Sequence, residues 1–131
     1  MSERKPKDAY EKLGRALDRF GEVLERDIAG DDLLRDAAIQ RFEFTFELFW
    51  KALKADMEAR GKKAGAFPLD VFQSAYVAGW IDGEDDFRKM LKDRNRTSHT
   101  YDEALAIEIA GRLPTYYERM RAAYAQHPYF K

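Results

Sequence analysis

The chain has 131 residues, enough for one compact hydrophobic core and too few for two ordinary domains. Charged residues make up 36% and hydrophobic residues 45%, which suits strongly two-faced helices and excludes a disordered chain, while 23 basic against 24 acidic residues leave no global field drawing it to nucleic acid. No cysteine is present, so disulfides and thiolate metal sites are excluded, and His99 and His127 alone are too few for a zinc centre, so no metal is expected.

Residues 1–6 read as a charged, flexible tail without the apolar core of a signal segment. Pro6 suits a first helical turn, and Tyr10, Leu13, Leu17, Phe20 and Leu24 then recur at helical steps. Gly30 predicts a stop, and Asp31 with Asp32 an acidic cap on a second helix running back against the first. That second helix carries Ile39, Phe42, Phe46, Phe49, Trp50, Leu53 and Met57 on one broad face, with Phe44 and Leu48 beyond it. A belt this wide is covered either by deep burial in the bundle or by self-association or a partner, and a homodimer is expected. Arg41, Glu43 and Glu47 on the same helix are candidates for lining a cleft, or else belong to a solvated face.

Residues 60–67 predict a basic loop, and Pro68 opens a short third helix through Leu69, Phe72, Tyr76 and Trp80, closed by Asp82-Gly83. A fourth helix runs from about Glu84 to the Arg94 region. A fifth, with Leu105, Ile109, Leu113, Tyr116 and Met120 as its stripe, begins near Tyr101 behind a Thr100/Glu103 capping box and is kinked by Pro114. No strand alternation, glycine-rich phosphate loop or repeat interrupts this pattern, and no stretch nears the roughly 20 apolar residues of a membrane span. The expectation is an all-α, up-and-down bundle of about five helices, one domain over residues 1–131, in the cytoplasm.

The segment from Asp93 to Glu103 departs from plain amphipathic helix. Arg94 falls three residues after Leu91, where the rhythm of Phe87, Met90 and Leu91 calls for an apolar side chain. Unbroken helix would turn His99 roughly 140° away from Arg94, whereas a bend lets them converge. At such a junction the open amides of a helix start, a permanently charged guanidinium and an imidazole titrating near neutrality together form a site for phosphate and for proton transfer. A purely structural role for both residues is the competing reading.

The run Arg94-Asn95-Arg96-Thr97-Ser98-His99 resembles the motif of the HEPN superfamily of small helical bundles. Its continuation to Tyr101, an Arg-x4-His-x-Tyr pattern, together with Ile39–Leu48, resembles the HEPN members paired with a minimal nucleotidyltransferase, also called nucleotidyltransferase substrate-binding proteins. The likeness spans about Tyr10 to Met120. It implies the toxin of a toxin–antitoxin pair: a metal-independent endoribonuclease that needs no cofactor, restrained by a nucleotidyltransferase partner. By position Arg94, Asn95 and His99 are its catalytic residues, facing their counterparts across a homodimer, and Tyr101 is the residue to which the partner transfers AMP. RNA is the implied substrate; neither DNA nor a membrane is expected. The alternative is a non-catalytic subunit that holds a nucleotide or substrate for the nucleotidyltransferase. In a third reading the motif only staples the bundle, with Arg94 and His99 buried and mutually satisfied.

Overall fold

The computed structural model describes residues 4–126, which form α1 (Arg4–Leu24), α2 (Asp32–Ala59), α3 (Pro68–Val77), α4 (Glu84–Arg96) and α5 (Glu103–Ala125), with a 3-10 turn at Thr97–His99 between the last two. Of the six residues expected as a tail, 4–6 already belong to α1, and 1–3, like His127, lie outside the described residues.

Inter-helix bonds fix the directions. Thr45 Oγ donates to the Ala16 carbonyl and Arg41 to that of Arg19, so α1 and α2 run antiparallel. Phe49 stacks on Phe87 while Thr97 reaches Glu43, setting α4 antiparallel to α2; Asp93 meets Arg112 and Asp86 meets Arg119, setting α5 antiparallel to α4. The result is an all-helical, up-and-down bundle in which α2 and α5 form the middle, α1 flanks them on one side and α4 on the other, with α3 as a short crosspiece.

The broad belt on α2 is explained by this central position. Ile39, Phe42, Phe46, Phe49, Leu53 and Met57 are all buried within the chain, and Trp50 and Leu48 pack partly against the core. Only Phe44, 40% exposed, remains of the expected surplus. Phe46, Phe49, Phe72 and Phe87 contact one another as aromatic pairs that tie α2, α3 and α4 together, and Phe42 stacks on Tyr116 of α5. On the other side Gly14 and Gly21 of α1 leave room for the hydroxyl ends of Tyr124 and Tyr117.

Several boundaries differ from the sequence reading. α1 stops at Leu24, not at Gly30, because Arg35 donates to the carbonyls of Ile28 and Ala29 and fixes residues 25–30 as a turn; Asp31 then caps α2 as expected, accepting from the Leu33 and Leu34 amides. α3 ends at Val77, where Gly79 at φ 78° provides the left-handed stop assigned to Asp82-Gly83, and Gly83 instead opens α4. α5 continues as one helix through Pro114, whose ring lies on its exposed side.

Candidate functional site

The corner between α4 and α5 is built by two acceptors from α2 and one from its own turn. Arg94, on the side of α4 that faces α2, ion-pairs with Glu47, lies 5.7 Å over the Phe46 ring and reaches the Asn95 side chain at 3.3 Å. Thr97 Oγ stands 2.8 Å from both Glu43 Oε2 and the Arg94 carbonyl, so its proton is shared between an inter-helix bond and the closure of α4. Glu43 and Glu47, four residues apart on α2, each reach a residue of this corner. Arg41 does not join them; its guanidinium binds the Arg19 carbonyl and braces α1.

His99 ends the 3-10 turn and is exposed. Its ring meets that of Tyr101 edge-on at 6.1 Å, and among the described residues its side chain makes no hydrogen bond. The bend between Arg94 and His99 is thus present, yet the two are neither buried nor bonded to each other as the stapling reading expects, and Arg94 ties α4 to α2 through Glu47 instead. Tyr101, 85% exposed, projects from the turn before α5. The expected Thr100/Glu103 capping box is not formed: Thr100 Oγ donates to the Thr97 carbonyl, and Asp102 caps α5 by accepting from the Leu105 amide at 3.3 Å. Threonine two residues too early satisfies the turn, and the aspartate with the β-region backbone takes the cap. With Asp102 and Glu103 at its start, α5 presents carboxylates where open amides were expected to attract phosphate, so the positive charge of the corner lies on α4.

On the opposite side of α4 lies a cluster that the sequence reading missed. Asp93, 2% exposed, accepts from Arg96 (2.6 Å), from Arg112 Nε and Nη2 (2.7 and 2.8 Å) and from the Tyr116 hydroxyl (2.6 Å). Burial alone would push this carboxyl upward, but the hydrogen bonds from Arg112, Tyr116 and Arg96 outweigh it and hold Asp93 below its ordinary value. Burial and the adjacent carboxylate push the Tyr116 hydroxyl up, so it stays protonated as a donor. Glu108 bonds both arginines, which lower its own value. The available signal was Glu108, Arg112 and Tyr116 recurring every four residues on one side of a helix otherwise striped with apolar residues.

Comparison with known proteins follows the same lines. Residues 8–127 match the family described as nucleotidyltransferase substrate binding protein like. The chain belongs to that family. As a nucleotidyltransferase substrate binding protein-like chain it is similar to the probable ribonuclease HepT of Haemophilus influenzae, with 31% identity over 86 residues, 63% of this chain and 59% of that one. The chain thus spans under two thirds of the length of this curated relative. It is also similar to a protein of Thermus thermophilus known from a crystal structure, at 39% identity and a TM-score of 0.76, covering 85% of this chain and 94% of the other. Family membership bears out the resemblance carried by the Arg94–Tyr101 and Ile39–Leu48 segments, and the Thermus structure shares the bundle. No described helix is long and apolar enough to cross a membrane.

Proposed function

We propose that this chain is the toxin subunit of a toxin–antitoxin pair and cuts RNA without a metal, using Arg94 and His99. The observation that carries the reading is the corner itself: an exposed imidazole, with no hydrogen bond among the described residues, on a tight turn five residues after an arginine anchored from α2. His99 takes the proton of a ribose 2′-hydroxyl, the oxygen attacks the adjacent phosphorus as the bond to the 5′-oxygen breaks, and that oxygen takes a proton from water, giving a cyclic phosphate and a new 5′-hydroxyl. Arg94 stabilises the charge gathering on the phosphoryl oxygens, and Asn95, bonded to it, orients the guanidinium. Because the RNA carries its own nucleophile, no cofactor enters.

In this reading two copies pair so that their motifs face one another, with Phe44 on the exposed edge of α2 beside Glu43 and Glu47 as the apolar part of that contact. The partner is a nucleotidyltransferase that transfers AMP to Tyr101, whose exposure leaves its hydroxyl within reach. The added phosphate next to His99 repels the RNA backbone and silences the site.

The second reading, a non-catalytic subunit that binds a nucleotide for the transferase, is favoured by one feature: Glu47 already offsets the Arg94 charge. Incubating the purified chain with RNA in EDTA separates the two. Cleavage that survives EDTA and is lost in His99→Ala, by about a hundredfold or more for a proton-transfer group, supports the ribonuclease. Absence of cleavage by the wild-type chain, or cleavage unaffected by His99→Ala, removes it.

A further inference from the structure

We propose that the pocket of about 380 Å³ between α4 and α5, lined by Lys89, Lys92, Arg96 and Arg112 over Asp93 and Glu108, holds the sugar–phosphate backbone of the RNA away from the scissile bond. This rests on the ribonuclease reading above and supplies what that site lacks, a place for the strand to lie.

Charge and preorganisation both point there. Four cations surround two carboxylates, and Lys89 and Lys92 are exposed on one side of α4 with no ion pair among the described residues. Arg96 and Arg112 are held in place before any ligand arrives. Asp93 accepts from both, Glu108 from both, and their Nη1 groups remain unbonded among the described residues. Arg96 Nε is also buried, with no hydrogen-bond partner among the described residues. A guanidinium clamped this way has already lost its rotamer freedom, so contact with a phosphate costs less than for a mobile side chain.

Length selects a strand over a single phosphate. Seven residues separate Lys89 from Arg96 along α4, which is about 10 Å at 1.5 Å per residue, more than one phosphate group occupies. The path to the reacting bond is also set by α4. Arg94 and Arg96 are two residues apart and so point to nearly opposite sides of the helix, Arg94 to Glu47 on α2 and Arg96 to Glu108 on α5. The Thr97–His99 turn follows directly on the end of α4, and in this proposal the strand rounds that end of the helix, past His99, to reach Arg94. The start of α5, with Asp102 and Glu103, turns phosphate away from the other route.

The experiment measures binding in the full-length chain carrying His99→Ala, so that RNA is not consumed, with a fluorescein-labelled single-stranded oligoribonucleotide read by anisotropy over a series of KCl concentrations. Adding Lys89→Ala and Lys92→Ala is expected to weaken binding about tenfold near 0.1 M salt and to reduce the slope of log K against log salt by about 1.4, two phosphate contacts on a single strand. The Lys89→Arg, Lys92→Arg pair restores both. Affinity and slope equal to those of the His99→Ala parent overturn the pocket, and would assign this surface to an acidic protein partner instead. Wild-type chain assayed in parallel keeps the two ideas apart: cleavage by wild type with unchanged binding in the lysine variants sinks the pocket alone, whereas neither cleavage nor binding by any form sinks both.

Discussion

Glu47 on α2 holds the Arg94 guanidinium on α4 in a half-exposed ion pair, so a residue that belongs to the motif is positioned by one that does not. The Trp50 indole N–H donates to the same carboxylate at 3.3 Å, which fixes Glu47 in turn. In the ribonuclease proposed above, the acid both orients Arg94 and competes with phosphate for it, and substitution separates the two effects. Glu47→Gln keeps an acceptor but drops the opposing charge, so KM for RNA falls by roughly fivefold, about 1 kcal/mol for such a pair. Glu47→Ala removes the acceptor as well, and kcat drops by about tenfold to a hundredfold as Arg94 leaves its position. Steady-state cleavage kinetics of the two variants check this.

Asp93→Asn breaks the clamp that joins α4 to α5. Two guanidiniums then face an amide that cannot answer their charge, and the fold loses about 3 kcal/mol at neutral pH. The Asp93 carboxyl is lowered in the folded chain, so its stabilisation is complete above its unfolded value of about 3.9 and is lost as pH falls through the lowered one. Thermal melts should show a gap between wild type and variant at pH 7 that narrows below about pH 4.

Phe44→Glu puts a charge on the apolar edge of α2 without entering the core. Sedimentation equilibrium is expected to give a dimer for wild type and a monomer for the variant, with cleavage lost in the monomer. A wild-type chain that stays monomeric at micromolar concentration removes the composite site.

Tyr101→Phe tests the proposed control by the partner. With the nucleotidyltransferase, ATP and magnesium, the wild-type peptide containing Tyr101 should gain the mass of AMP and the phenylalanine variant should not. In cells the variant is expected to stay toxic even when the proposed partner is co-expressed. Labelling that is unchanged in the variant puts the modification elsewhere.

The bundle could be read from the sequence because its helices carry their own signals: the apolar stripes of α1, α2 and α5, Pro68 at the first position of α3, and Asp31 as the α2 cap. That Glu43 and Glu47 share one side of a helix could be read from their spacing; that this side meets Arg94 and Thr97 could not. Asp93 was not, since its partners Arg112 and Tyr116 lie 19 and 23 residues away and meet it only once α5 has folded back. The cap was misplaced because Thr100 and Asp102 are both good caps, and only the 3-10 turn decides which of them meets a free helix amide. The stop after α3 was a choice between two glycines, both left-handed in the fold.

The glycines of α1 bear on the corner from the far side of the molecule. A methyl group at Gly21 would stand 2.7 Å from the Tyr117 hydroxyl oxygen, and Gly14 meets Tyr124 in the same way one heptad along. Two notches matched to two tyrosines mark where α5 lies along α1. Sliding α5 by even one residue would carry Arg112 and Tyr116 past Asp93 and move Asp102 relative to the turn that bears His99. The missing side chains on α1 are thus the sockets in which two tyrosine tips rest, and an alanine at Gly21 would first displace the Tyr117 ring, the movable end of that contact.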